Sequence, residues 1–351
     1  MNRRLSCLTL AVVALVIWPN TSPAPLVYRA GEGWTYEPFG GTGKWERNRA
    51  KDQLDVAEKA FADKDYGLAL KAAHRTVQQW PLSDYAPRAQ YLLGRCHEEK
   101  KNDERAFREY QTLLERYPKV ENYEEVLTRQ MVICDRFLGG QWFKLWGYVP
   151  FFPNMERTAD MYAKLARNGP YTDIGAQALL KIGAAQEKRA EYGLAVRAYE
   201  TAADRYNTKK DVAADALYKT GLSYQKQART AEYDQGIAGK AIGAFTDFIA
   251  LYPDDPRVPE AQKQVDALKT EQARGAFQIA KYYEKTHRPN GALVYYNEVL
   301  VKDPNSPYAT EAKQHIETLK ARVTPPPPAA APEKAGEKKM ETPAPAPAAP
   351  K

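Results

Sequence analysis

Catalytic chemistry in this chain of 351 residues would have to come from four histidines, three cysteines and the carboxylates around them. His74, His97, His287 and His315 are scattered, and no HExxH pair or Ser-His-Asp constellation turns one of them into a metal ligand or a base. Gly40-Gly41-Thr42-Gly43-Lys44 looks at first like a phosphate loop. Pro38 stands where the first glycine is required, Trp45 stands where a Ser or Thr would hold magnesium, and no strand is expected before it. Cys7, Cys96 and Cys134 form no CxxC, which excludes a zinc ribbon and a disulfide scaffold. Cys96 and Cys134 read as two buried thiols acting as small hydrophobes, a disulfide between them being the alternative. No metal, cofactor or small-molecule substrate is expected, and the chain is read as a non-enzyme.

What would hold any site in place follows from composition and pattern. Hydrophobic residues make up 44% and charged residues 27%, enough apolar content to bury a core. Lys and Arg exceed Asp and Glu by 51 − 44 = 7, well short of a concentrated basic stripe, so no nucleic-acid partner is expected. Residues 1–24 carry Arg3 and Arg4, the apolar run Leu8 to Trp18 and a break at Pro19, which reads as a secretory signal and an exported chain. Cys7 precedes that run, the wrong side for a bacterial lipoprotein cysteine. Residues 323–351 are rich in Pro and Ala, lack aromatics and read as a disordered tail.

Between the ends, residues 51–322 repeat themselves. Gly94, Ala106, Tyr110, Leu113 and Pro118 follow the tetratricopeptide spacing, and so do Ala57, Ala69, Ala73, Thr76, Pro81 and Ala280, Ala292, Tyr296, Val299, Pro304. A further copy runs from Gly183 through Ala195, Tyr199 and Ala202. Another begins at Gly221 and reaches Ala241, Phe245, Phe248 and Pro253 after an insertion read as a longer turn over residues 230–239. The small residue lets helix A approach helix B, and the bulky residue fills the gap between repeats. The expected fold is therefore all-α: a right-handed superhelical solenoid of about six helix pairs. Ser83, Asp255 and Ser306 are expected N-caps of the following A helices, with Pro256 and Pro307 in the first turn.

Two segments stand outside the pattern. Residues 25–50 hold Tyr28, Trp34, Tyr36, Phe39 and Trp45 among glycines. Residues 139–156 split the third repeat with Trp142, Phe143, Trp146, Tyr148, Phe151 and Phe152. Both read as loops by composition. The second either packs on its own solenoid, the leading reading, or faces a partner or the membrane interface. By register, Arg88, Tyr91 and Arg95, then Tyr218 and Lys226, then Phe277 and Lys281 line the concave face, an aromatic and basic groove suited to an acidic or carboxylate-ended peptide. An ordinary solvated face is the alternative.

The repeat endings, as in Tyr252-Pro-Asp-Asp-Pro256 and Pro304-Asn-Ser-Pro-Tyr308, resemble those of the BamD family, tetratricopeptide lipoproteins of the outer-membrane β-barrel assembly machinery. More weakly they resemble the periplasmic repeat proteins associated with Tol-Pal. The first resemblance implies a periplasmic scaffold at the inner face of the outer membrane, with other assembly subunits and the C-terminal strands of client barrels as partners. The second implies an envelope adaptor linking peptidoglycan synthesis and division to the outer membrane.

Overall fold

The computed structural model describes residues 26–36, 44–145, 149–230 and 235–323. The signal, Phe39, Trp146, Tyr148 and the tail beyond residue 323 lie outside them. Helices pair in sequence. Repeat one is α1 (Ala50–Ala62) with α2 (Tyr66–Gln79), repeat two is α3 (Ala86–Glu99) with α4 (Asp103–Arg116), and repeat three is α5 (Tyr123–Leu138) with α6 (Met155–Asn168). Repeat four is α7 (Asp173–Lys188) with α8 (Tyr192–Arg205), repeat five is α9 (Lys210–Thr230) with α10 (Gln235–Leu251), and repeat six is α11 (Val258–Lys285) with α12 (Pro289–Lys302). A final helix, α13 (Pro307–Val323), covers the apolar face that repeat six would otherwise leave open. Each helix packs chiefly on its sequence neighbours, and several successive A helices touch one another as well, so the A helices take the inner side of the array. The core runs along it as four apolar clusters. Packing is thinnest between α4 and α5.

The small-to-bulky spacing becomes contact here. A Cβ added to Gly94 would lie 2.3 Å from the Tyr110 ring, and one added to Gly183 would lie 2.3 Å from Tyr199. Both rings are buried. Helix A thus sits against helix B at a distance that leaves no room for a side chain. The A-to-B turns also repeat: Lys64, Lys101, Ala190 and His287 all take positive φ, near 60°. After each, a backbone N–H reaches back five residues, as Asn102 N–H does to the His97 carbonyl at 2.9 Å. Neighbouring repeats are further tied by hydroxyls of the helix-ending tyrosines. Tyr117 donates to the Pro81 carbonyl at 2.8 Å and Tyr206 to that of Pro170 at 2.6 Å.

The structure departs from the sequence reading in five places. Residues 26–36 form a hairpin, β1 (Leu26–Arg29) with β2 (Gly33–Tyr36), not a loop. The insertion likewise contains a hairpin, β3 (Phe143–Leu145) with β4 (Val149–Phe152); Pro150 is tolerated because a two-stranded ribbon has only edges. A strand, β2, does therefore precede Gly40, although Pro38 and Trp45 still deny that stretch a phosphate loop. Of residues 230–239, 235–239 belong to α10, and α9 extends through Thr230, so part of the expected turn is helical. Among the three expected caps, only Ser306 acts as one, its Oγ accepting from Ala309 N–H at 3.2 Å. Ser83 instead donates to the Trp80 carbonyl, and Asp255 is claimed by Arg257, leaving Pro256 outside the helix and Pro259 in its first turn.

Candidate functional site

One side-chain device recurs on the A helices. Four residues after the close contact, about one helical turn, a carboxylate on helix A accepts a buried tyrosine hydroxyl from helix B of its own repeat and a basic side chain from the next helix in the A layer. Glu98 accepts Tyr110 at 2.7 Å and Arg129 at 3.3 Å; Asp135 accepts Tyr162 at 2.5 Å, with Lys181 at 3.3 Å. Glu187 accepts Tyr199 at 3.0 Å and Lys226 at 2.5 Å, and Glu284 accepts Tyr296 at 2.7 Å and faces His315 Nδ1 at 3.0 Å. Burial, then the carboxylate neighbour, pushes the hydroxyls of Tyr110, Tyr162 and Tyr296 far above the ordinary tyrosine range; for Tyr199 burial again comes first. These phenols act as donors, so the device is structural wiring that uses up inner-face charge.

The groove residues take their places within this wiring. Tyr91 is half-buried, donates to Glu125 at 2.6 Å and accepts from Arg129 at 3.0 Å. That bond, with Arg129, holds the Glu125 carboxyl below its usual range. Arg95 lies over the rings of Phe61 and Tyr91, and Arg88 is exposed but paired with Glu58 at 2.7 Å. Lys226 is paired with Glu187, and Lys281 is exposed above the Phe277 ring at 4.7 Å. Tyr218 and Phe277 do not line a groove. Tyr218 is wedged against Phe245 and Phe248 under Arg257, and Phe277 against Tyr296 and Tyr308; both are buried. Their offsets from the small residue point them between repeats rather than out of the array.

A second concavity opens beside the insertion. It measures about 320 Å³ and is bordered by Lys101, Asn102, Asp103, Glu104, Arg105, Arg108, Phe137, Gln141, Trp142 and Lys144. Phe143 anchors the hairpin: it is buried, stacks on Phe137 with ring centres 4.2 Å apart, and lies under the Arg157 guanidinium. Lys144 Nζ donates to the Lys101 carbonyl at 3.0 Å, across to the turn of repeat two. Asp103 is held by Arg136 and Gln141, and Glu104 by Arg157. Arg105 forms no ion pair among the described residues, so the rim is cationic with its two carboxylates already engaged. Trp142 and Phe152 are about half exposed. The insertion thus packs through Phe143 and presents Trp142; Phe151 lies in β4. The sequence reading found the aromatics but not the basic turn facing them, because residues 101–108 belong to a different repeat.

Cys96 and Cys134 are both buried and unpaired. Burial pushes the Cys96 thiol up to about 12 and that of Cys134 higher still. Among the described residues no group of three or more His, Cys, Asp or Glu is placed to hold a metal ion, and no helix is long and apolar enough to cross a membrane.

Stacked helix pairs with this close-contact pattern define a tetratricopeptide-repeat solenoid, and residues 88–119 match the tetratricopeptide repeat model. Within that class, residues 154–303 match the family model described as YfiO, outer membrane lipoprotein. The chain is 21% identical over 159 residues to the outer membrane protein assembly factor BamD of Caulobacter vibrioides, covering 45% of this chain and 52% of that protein. It is 26% identical over 151 residues to BamD of Helicobacter pylori, covering 42% of this chain and 67% of that protein. The match spans about half the length of the Caulobacter relative. Among solved structures, a TPR repeats protein from Bacteroides fragilis is similar at 15% identity, covering 79% of this chain and 100% of that one with a TM-score of 0.37. The C-terminal part of a TPR repeat-containing protein from Cytophaga hutchinsonii is similar at 16% identity, covering 76% and 88% with a TM-score of 0.34.

Proposed function

We propose that this chain is a non-enzymatic scaffold in the assembly of outer-membrane β-barrel proteins, acting in the periplasm at the inner face of the outer membrane. The observation that carries the reading is the YfiO match over residues 154–303, joined to two relatives that are both named assembly factors. Its partners are other assembly subunits and the carboxylate-ended strands of client barrels. The recognition surface is the cationic concavity between the repeat-two turn and the insertion, continued along the inner face by Arg88, Tyr91, Arg95, Lys226 and Lys281. Lys101 and Arg105 supply charge that no internal carboxylate has claimed, and Trp142 supplies a rigid apolar plate. Arg88, Arg95 and Lys226 are engaged by Glu58, Glu99 and Glu187, so an acidic partner there would have to displace an existing carboxylate, whereas Lys281 lies exposed over the Phe277 ring.

Depletion tests the function: levels of many barrel proteins should fall together, and the central barrel subunit should copurify with the chain. Unchanged barrel levels with defective division would overturn the reading in favour of an adaptor of the Tol-Pal kind. Lys101→Glu with Arg105→Glu should weaken partner capture at least tenfold while helix content stays the same. Unchanged capture would move the surface elsewhere.

A further inference from the structure

The outward face of the B helices changes character along the array. Two residues after the small residue of helix B (Thr158 in repeat three) stand, in repeat order, Lys71, Arg108, Asp160, Arg197, Gly243 and Val294. Seven residues further, and so on the same face, stand Gln78, Glu115, Arg167, Asp204, Ala250 and Val301. All are exposed, yet those of repeats one to four are charged or polar and those of repeats five and six are neither. Val294 and Val301 are 64% and 80% exposed, and nothing lies within 4 Å of a Cβ built on Gly243. The two uncharged faces lie in line. α10 packs on Ala261, Val265 and Leu268 in the first half of α11, and α12 packs on Ala276 and Ala280 in the second half. A Cβ on Gly239 would lie 3.8 Å from Gln272, Asp303 accepts the Thr270 hydroxyl at 2.7 Å, and Gly291 sits against the Tyr283 ring. The start of α10 and the end of α12 therefore meet beside the middle of α11, and both run antiparallel to it.

We propose that a second copy of this chain covers this face, related by a two-fold axis near Thr270, so that α10 of each copy lies antiparallel on α12 of the other. Spacing is the first argument. At 1.5 Å per residue, Val301 and Val294 stand about 3 and 13.5 Å to one side of Thr270 along α11, and Gly243 and Ala250 stand about 3 and 13.5 Å to the other side. The axis thus sets Val301 over the partner's Gly243 and Val294 over the partner's Ala250, large on small, and repeats both contacts in reverse. Charge is the second argument. Lys240 comes beside the partner's Asp303, and Asp247, which has no ion pair among the described residues, comes beside the partner's Asn297. On α12, Glu298 and Lys302 already neutralise each other at 3.8 Å. An anionic lipid surface would leave Asp247 repelled instead. Area sets the strength. A strip about 40 Å long and one helix wide offers roughly 400 Å² on each copy, roughly 800 Å² in all, which is the range of weak, reversible association. The pairing goes beyond the assembly role and does not depend on it.

Sedimentation equilibrium of the full chain tests it. Between about 1 and 300 µM the weight-average mass should rise from one chain towards two, with a dissociation constant on the order of 10–100 µM. Val301→Lys places a charge in the contact and Gly243→Val sets valine against valine, so each should weaken dimerisation at least about tenfold. Helix content should stay unchanged by circular dichroism, because both positions are exposed. Adding Val301→Ala to Gly243→Val moves the bulk to the opposite helix and should recover most of the lost affinity. A chain that stays monomeric throughout overturns the proposal and leaves the face to another protein. So does a dimer that Gly243→Val leaves intact, or a double variant that pairs no better than Gly243→Val alone. Barrel levels after depletion report on the assembly reading separately, so the two can fail independently.

Discussion

Gly94→Ala adds one methyl group, and two opposing effects decide the sign of its outcome. On an isolated helix the change would stabilise by about 1 kcal/mol, because Ala is the better helix former. Here the new Cβ would stand 2.3 Å from a Tyr110 ring carbon, so the ring must retreat by about 1.1 Å to reach an ordinary 3.4 Å contact. That ring is fully buried and its hydroxyl is fixed to Glu98 at 2.7 Å, so retreat both strains the core and pulls a charged hydrogen bond apart. Overpacking costs about 1–3 kcal/mol and loss of the bond about 1.5–3 kcal/mol. Against the 1 kcal/mol gain, the net loss is about 1.5–5 kcal/mol. Urea denaturation followed by helical circular dichroism measures it, and Gly94→Ala should unfold at a clearly lower midpoint. Shrinking the ring in the same background, Gly94→Ala with Tyr110→Leu, should restore part of the loss. A variant more stable than wild type by about 1 kcal/mol would show that helix A and helix B are not in this contact, and the small-to-bulky rule would fail with it.

Two further expectations concern charge. Arg129 bridges Glu98, Glu125 and Tyr91, so Arg129→Ala should destabilise by about 1–3 kcal/mol, and adding Glu98→Gln should cost less than the sum of the two single changes; a double-mutant cycle on urea midpoints reads the coupling. His97 is held below its usual range, chiefly by burial, so the unfolded chain takes up a proton that the folded one refuses. Its stabilising contribution is therefore complete above pH 6.5 and is lost as the pH falls through the lower folded value; melting temperatures between pH 7.5 and 5.5 should decline less for His97→Gln than for wild type.

The repeat array was legible because its signal is steric and periodic: Gly94 and Gly183 must be small where Tyr110 and Tyr199 are large, and both halves of that rule are written 16 residues apart. The two hairpins were not, although Leu-Val-Tyr-Arg and Gly-Trp-Thr-Tyr around a glycine turn carry strand-forming residues. Glycine content outweighed that alternation, and strands of three or four residues give periodicity little to act on. For the site, charge could be counted but pairing could not. Lys226 and Arg88 look free in sequence and are matched in space by Glu187 and Glu58, partners 39 and 30 residues away. Tyr218 and Phe277 failed as groove residues for a related reason: a helix face shared by two neighbours has an inward and a between-repeat side, and one residue of offset separates them.

The thin packing between α4 and α5 is reinforced from two directions. Repeats two and three share an apolar core, from Phe107 and Tyr110 to Leu127 and Phe137, and their thin helix contact is supplemented by Arg129, Arg136 and Arg157 reaching Glu98, Asp103 and Glu104. Attraction of that kind softens as ionic strength rises, the screening length being about 8 Å at physiological salt. The ionic part of this joint is thus the part that responds to the surrounding medium. Lys144 and Gln141 cross the same joint from the insertion, to the Lys101 carbonyl and the Asp103 carboxylate, while Phe143 grips Phe137. What breaks the repeat pattern in sequence therefore serves mechanically as a splint, laid across the thinnest helix contact of the array.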